Sequence, residues 1–182
     1  NDVNARWAAD LISFVSRPAT FKGVEYKYVL LVQDIFSRVL YARPLTRVDQ
    51  ATAAFEEILG EAGTTPLMAT FDTGPEFGKA WKTMLARRGI EEDVKAPEDK
   101  QAIATLDRGI ATLKRALTRR VGAGGDSWAS ELEKAVRGLN SSSHSALQGE
   151  EPKDVATNDD LRFSLKKEAA EEAAENAEMI QA

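Results

Sequence analysis

The sequence predicts an α/β domain built on a five-stranded mixed sheet, three antiparallel strands then two more, flanked by helices. Three observations carry this. Residues 6–43 hold three apolar runs joined by short links, the pattern of an antiparallel meander. From residue 50 the apolar period becomes helical, and helix then alternates with strand. Hydrophobic residues make up 43% of the 182, enough for one domain with a substantial core.

Residues 6–15 read as the first strand; the run is mostly apolar, as in a strand covered on both faces. Residues 17–25, with Pro18 and Gly23, read as a turn. Residues 26–33 are rich in β-branched and aromatic side chains and form the second strand, and 38–43 form the third. A helix is expected over 50–62, with Ala54, Phe55, Ile58 and Leu59 on one face and Asp49 as its N-cap. Pro66 to Phe71 reads as a short buried strand ending at Asp72, and Gly74-Pro75 turns the chain into a helix over 76–88. A short edge strand over 90–95 and a loop over 96–99 follow. The longest helical pattern covers 100–121, with Leu106, Ile110, Leu113 and Leu117 on the core side. Gly109 in mid-helix costs about 1 kcal/mol against Ala and marks a close helix–strand contact. After the break at 122–125 come a helix over 127–139, a polar turn at 140–144, an acidic linker over 149–160 and an Ala/Glu-rich helix over 161–180. The domain is drawn at 1–155, with 156–182 as a helical extension.

Composition removes several kinds of chemistry. The sequence has no cysteine and one histidine, which excludes disulfides, a Cys/His zinc site and a thiol nucleophile. No apolar run approaches a membrane span, so no membrane partner is expected. No signal-peptide pattern opens the chain, and residue 1 is not Met, as in an excised fragment. The net charge is −5, but residues 100–120 carry six bases and one acid; that local +5 leaves −10 on the remainder. A basic helix on an acidic protein is a candidate nucleic-acid contact, because phosphates respond to the local field; the same charges also suit a solvated helix face.

Three acids are singled out by position. Asp10 interrupts the apolar first strand, where an unpaired carboxylate is costly. Asp72 ends the fourth strand and is separated by 34 intervening residues from Asp107 on the basic helix. Taken alone, Asp72 suits a turn or helix cap as well as a metal ligand. Taken together, carboxylates from three elements can converge at one end of a sheet and hold two divalent ions, Mg²⁺ or Mn²⁺ by their all-oxygen character. Asp34 reads as structural, pairing with Arg38; Glu76 as orienting the helix start; and His144 as a loop hydrogen-bonder.

The motifs resemble the catalytic core of retroviral and retrotransposon integrases, within the RNase H-like superfamily. The matching pieces are Trp7-Ala8-Ala9-Asp10-Leu11, Tyr28 to Arg38, and Phe71-Asp72-Thr73-Gly74-Pro75-Glu76-Phe77, which fits the family's Asp-x-Gly-x-Glu-Phe. Asp107-Arg108 with Leu113-Lys114 fits its Glu-Arg…Leu-Lys helix, and Asn140, His144 and Glu151-Pro152 resemble its C-terminal end. The resemblance spans residues 5–155 and implies an RNase H-like fold with a metal-binding triad, Asp10 bridging two ions while Asp72 and Asp107 each bind one. It implies DNA contacts from Lys100, Arg108, Lys114 and Arg115, of which Lys114 matches a substrate-contacting position; Ala111 stands where the family has a base. The implied activity is metal-dependent 3′-end processing and strand transfer on element ends and target DNA. A homodimer or higher oligomer is implied, as is a nuclear site of action where the host or element is eukaryotic. The sequence departs from the family at Asp107, where Glu is usual, and at Phe71, where a polar residue is usual. Mariner-type transposases are similar in placing Asp at the third position with the same spacing. The zinc-binding N-terminal module of full integrases needs a Cys/His set that this sequence lacks, so full strand transfer is not expected of this stretch alone. The alternative is a degenerate integrase fold serving DNA binding or assembly; a third reading, a nuclease on RNA–DNA hybrids, would call for a further active-site acid.

Overall fold

The computed structural model describes residues 2–94 and 100–181. Five strands form one mixed sheet in the order β5-β4-β1-β6-β7. β1 (Arg6–Ser13), β4 (Tyr28–Asp34) and β5 (Leu40–Leu45) are the antiparallel meander; β6 (Met68–Phe71) and β7 (Glu91–Val94) add on parallel. A two-stranded hairpin, β2 (Ala19–Phe21) and β3 (Val24–Tyr26), occupies the stretch expected to be only a turn. Its tip, Lys22-Gly23, has φ of 51° and 77°, the left-handed pair that a tight hairpin turn requires.

Two helical layers cover the sheet, and strand alternation decides which residue faces which. Trp7, Ala9, Leu30, Val32, Ala69 and Phe71 face α1 (Ala51–Ala62) and α2 (Lys79–Arg87). There Trp81 packs on Phe55, Phe71 and Phe77, with ring centroids 4.8, 5.7 and 4.7 Å away. Ala8, Ile12, Val29 and Leu31 face α3 (Lys100–Gly122) and α4 (Trp128–Asn140). On that side Leu106, Leu113 and Leu117 are buried as expected, and Trp128 stacks on Phe14 at 4.3 Å while donating to the Arg17 carbonyl.

Several local expectations change. Asp49 does not cap α1; it pairs with Arg47, and Gln50 Oε1 closes the turn by accepting from Thr46 and Arg47 backbone N–H groups. The helix expected over 76–88 is a 3₁₀ turn at Pro75–Phe77 followed by α2, with Gly78 between them. The acidic linker contains a helix, α5 (Pro152–Thr157), because Pro152 suits a first helical turn and is buried together with Val155. The last helix, α6 (Asp159–Gln181), is anchored at its start: Arg162 donates to the Val155 and Ala156 carbonyls, and Lys166 pairs with Asp2 at 2.5 Å. The loop expected at 96–99 lies outside the described residues.

Candidate active site

The site is set by one register. In the parallel pairing of β1 with β6, Arg6, Trp7 and Ala8 lie beside Met68, Ala69 and Thr70, a constant offset of 62. The pairing ends at Ala8 and Thr70; the same offset, continued past the end of β6, would bring Asp72 to the level of Asp10. Ala8 and Ile12 belong to the α3/α4 layer, so Asp10 between them points that way. Ala69 and Phe71 face α1/α2, so Thr70 points away from those helices, while Asp72, in the turn after β6, lines a pocket with Pro75, Phe77 and the start of α2. Asp10 is half-buried and its carboxylate accepts from Leu11 N at 2.8 Å. Asp72 is exposed and accepts from Thr73 N at 2.7 Å.

The third acid comes from α3. Gly109 brings this helix down onto β4, so close that a Cβ there would lie 2.9 Å from Gln33 Oε1. Thr105, Gly109 and Thr112 thus form the helix edge over β4 and β5. At 100° per residue, Asp107, Ala111 and Lys114 lie on the opposite side of the buried leucine stripe. Since β1 is the strand beyond β4 and packs against α3, that opposite edge runs toward β1, the strand that carries Asp10. Asp107 is exposed there. Among the described residues, no three His, Cys, Asp or Glu side chains stand close enough to hold a metal ion. Asp10, Asp72 and Asp107 thus come from β1, the turn after β6 and α3, and among the described residues they do not close into one group.

The donor set fits a hard divalent cation in chemistry: three carboxylates, from a strand, the turn after a strand and a helix, with no nitrogen or sulfur. The four expected DNA contacts divide. Lys114 shares the Asp107 edge; Arg108 lies toward the β4 edge; Arg115 points outward and donates to Thr112 Oγ1 at 3.2 Å; Lys100 opens the helix.

Other polar residues are structural. Asp34 accepts from Asn4 N (2.9 Å), Ser37 N (2.8 Å) and Ser37 Oγ (2.6 Å), so its partners are these and not the Arg38 guanidinium expected from sequence. Burial raises its pKa above the usual carboxylate value, against those hydrogen bonds. His144 accepts from Ala146 N through Nδ1 at 3.2 Å, as a loop hydrogen-bonder does. Glu76 folds back over Gly74, where its Oε1 would be 2.5 Å from a Cβ. A further acid, Asp93, is not singled out by the sequence. It accepts from Thr70 Oγ1 at 3.1 Å and lies 3.9 Å from Arg6, so it joins β6 to β7 behind Asp72. The only signal for it is its place in an edge strand opposite Thr70.

No family model matches the sequence, and neither does any curated protein. Solved structures do match. The HTLV-2 integrase catalytic core in complex with magnesium superposes with a TM-score of 0.67 at 16% identity, over 85% of this chain and 97% of that one. The BIV integrase catalytic core gives 0.68 at 17% identity, over 84% and 93%. A chain of a simian T-cell lymphotropic virus intasome gives 0.70 at 16% identity, over 86% of this chain and 55% of that one. The class defined is the RNase H-like α/β fold. Within it, this chain has the fold of a retroviral integrase catalytic core.

Proposed function

We propose that the chain is the catalytic core of an integrase-like polynucleotidyl transferase, with Asp10, Asp72 and Asp107 as ligands for two Mg²⁺ or Mn²⁺ ions. The observation that carries the reading is the parallel pairing of β1 with β6, whose offset, continued past the end of β6, would bring Asp72 to the level of Asp10. Bound ions would activate water or a DNA 3′-hydroxyl and stabilise the departing oxygen of the phosphodiester. The protein's part is positioning. The half-buried Asp10 is held by a central strand, so its carboxylate has little freedom. Lys114 on the Asp107 edge would hold a strand by its phosphate backbone. In the same reading the substrates are element ends and target DNA, the working unit is a homodimer or larger, and the site of action in a eukaryotic host is the nucleus. HTLV-2 integrase cores occur in dimeric and trimeric forms, which supports the oligomeric part.

One observation favours a second reading, a degenerate core used for DNA binding or assembly. Asp107 is a methylene shorter than Glu, and the three acids do not form a closed group among the described residues. Calorimetric Mn²⁺ titration of the wild type and of Asp72→Asn, followed by nicking of a short duplex, separates the two. The amide oxygen that Asp72→Asn introduces can still accept from Thr73 N, so the turn survives the change. Binding and nicking that both vanish in the variant support the enzyme. Absence of millimolar-range binding in the wild type supports the degenerate core.

A further inference from the structure

The edge of α3 that faces away from Asp107 closes a second cleft, of about 510 Å³, with β4, the turn after β4 and the turn after α4 as its other walls. Its ionisable lining has one sign. Arg38, Arg108 and His144 are joined there by the hydroxyls of Thr105, Thr112 and Ser142, and no acid is among the lining residues. Arg38 Nε and Nη1 are buried without an acceptor, and so is the hydroxyl of Thr105, a residue only 3% exposed. Gln33 Oε1 is also buried and unpaired, but as an acceptor it adds nothing toward an anion. The acid whose charge Arg38 feels is Asp34, and that carboxylate is already occupied by Asn4 and Ser37. Burial and then the neighbouring Arg108 push the Arg38 guanidinium below its usual pKa. A half-buried guanidinium with two buried nitrogens lacking an acceptor, close to a second cation, is a costly arrangement, and a bound anion would relieve it.

We propose that this cleft is an anion site that takes a phosphoryl group, with Arg38 and Arg108 as charged donors and Thr105 Oγ1 as a neutral one. Three donors from two elements, the turn after β4 and α3, suit the tetrahedral oxygens of a phosphoryl group better than the flat pair of a carboxylate. Free phosphate or a polynucleotide backbone can supply the group. For the second source there is a track: Arg115 and Arg119 recur seven and eleven residues after Arg108, about 10 and 16 Å further along the helix, both exposed. No ion pair is seen for Arg108, Arg115 or Arg119 among the described residues. The cleft does not use the three acids, so it stands or falls independently of the transferase reading.

The test uses the full chain in EDTA and a phosphate-free buffer of low ionic strength, with calorimetric titration by inorganic phosphate. The wild type should bind saturably, and phosphate should shift the ring signals of His144. Arg108→Gln, on an exposed helix position, should weaken binding about tenfold, while Arg119→Gln should leave it unchanged. Thr105→Val gives a second reading at a buried donor, checked for folding by circular dichroism. A short single-stranded DNA that displaces phosphate identifies a phosphodiester as the source; failure to displace identifies free phosphate, and both support the site. No saturable binding in the wild type, or equal weakening by Arg108→Gln and Arg119→Gln, overturns it.

Discussion

Gly109→Ala should destabilise the protein even though it replaces the poorest common helix former by the best. The propensity gain is about 1 kcal/mol. Against it stands the contact with β4. A Cβ at 109 would lie 2.9 Å from Gln33 Oε1 and 3.4 Å from its Cδ and Nε2. Gln33 cannot swing clear at no cost: it is 3% exposed, and its Nε2 donates to the Arg38 carbonyl at 3.3 Å. Overpacking there costs about 1–3 kcal/mol, and losing the Gln33–Arg38 hydrogen bond adds about 1 kcal/mol. The net is a loss of about 1–3 kcal/mol. In a Gln33→Ala background the obstruction is gone, and Gly109→Ala should instead stabilise by about 1 kcal/mol. Urea unfolding of the four proteins gives the coupling, expected at about 2 kcal/mol or more. A stabilising Gly109→Ala in the wild-type background would refute the claim that close approach, rather than chance, puts glycine there. Moving α3 outward also withdraws Asp107 from Asp10 and Asp72, so any metal-dependent nicking should fall with stability.

Asn140→Ala should cost about 2 kcal/mol in urea unfolding, because the amide closes both backbone groups of Leu40 on edge strand β5, at 2.8 and 2.9 Å. His144 should titrate below the usual imidazole value, owing first to burial and then to Arg38 and Arg108; being the single histidine, it can be read directly by NMR, and Arg108→Gln should raise its pKa. A depressed histidine binds fewer protons folded than unfolded, so its contribution to stability is present above about pH 6.5 and is lost as pH falls through the folded pKa. His144→Gln should flatten that limb of the stability curve. Asp107→Glu lengthens the third ligand by a methylene; if reach limits the site, Mn²⁺-dependent nicking should rise by up to about 100-fold, whereas an unchanged rate would favour the degenerate core.

β1 and β4 are legible because they are covered on both faces and read as nearly continuous apolar runs. Helix α3 is legible from its leucine stripe and α2 from the spacing of Trp81, Met84 and Leu85. The β2–β3 hairpin is not, since two three-residue strands are too short to show a period; only Gly23 announces its turn. α5 is lost in an acidic stretch, where composition suggests a linker and the burial of Pro152 and Val155 cannot be seen. The start of α1 depends on where a 3₁₀ turn begins, which makes Gln50 and not Asp49 its N-cap residue, with the Gln50 side chain turned back to accept from Thr46 and Arg47. At the site, the three acids can be picked by position, but how near they come to one another depends on a register that only strand pairing fixes. Sequence alone pairs Arg38 with Asp34. Its φ of 67° belongs to the turn, and its side chain lines the cleft beside α3 while Ser37 and Asn4 satisfy Asp34.

A net charge of −5 would ordinarily argue against a polyanionic partner. The structure shows why the sum misleads. Many of the acids are already engaged by cations of their own layer: Glu57 and Glu61 by Arg43, Glu56 by Arg87 and Arg88, and Glu133 by Arg137. Others lie along the exposed later turns of α6. On α3 the balance is reversed. Arg120 reaches Glu131 at 3.7 Å, while Arg108, Arg115 and Arg119 along the outer face have no ion pair among the described residues. Screening confines each exposed charge to about 8 Å at physiological salt, so the field over that face is set by α3 itself. The helix thus carries its one acid, Asp107, on the edge toward β1 and β6 and Arg108 toward β4, so that in the proposed reading one element would serve a metal-dependent site on one side and hold phosphate on the other.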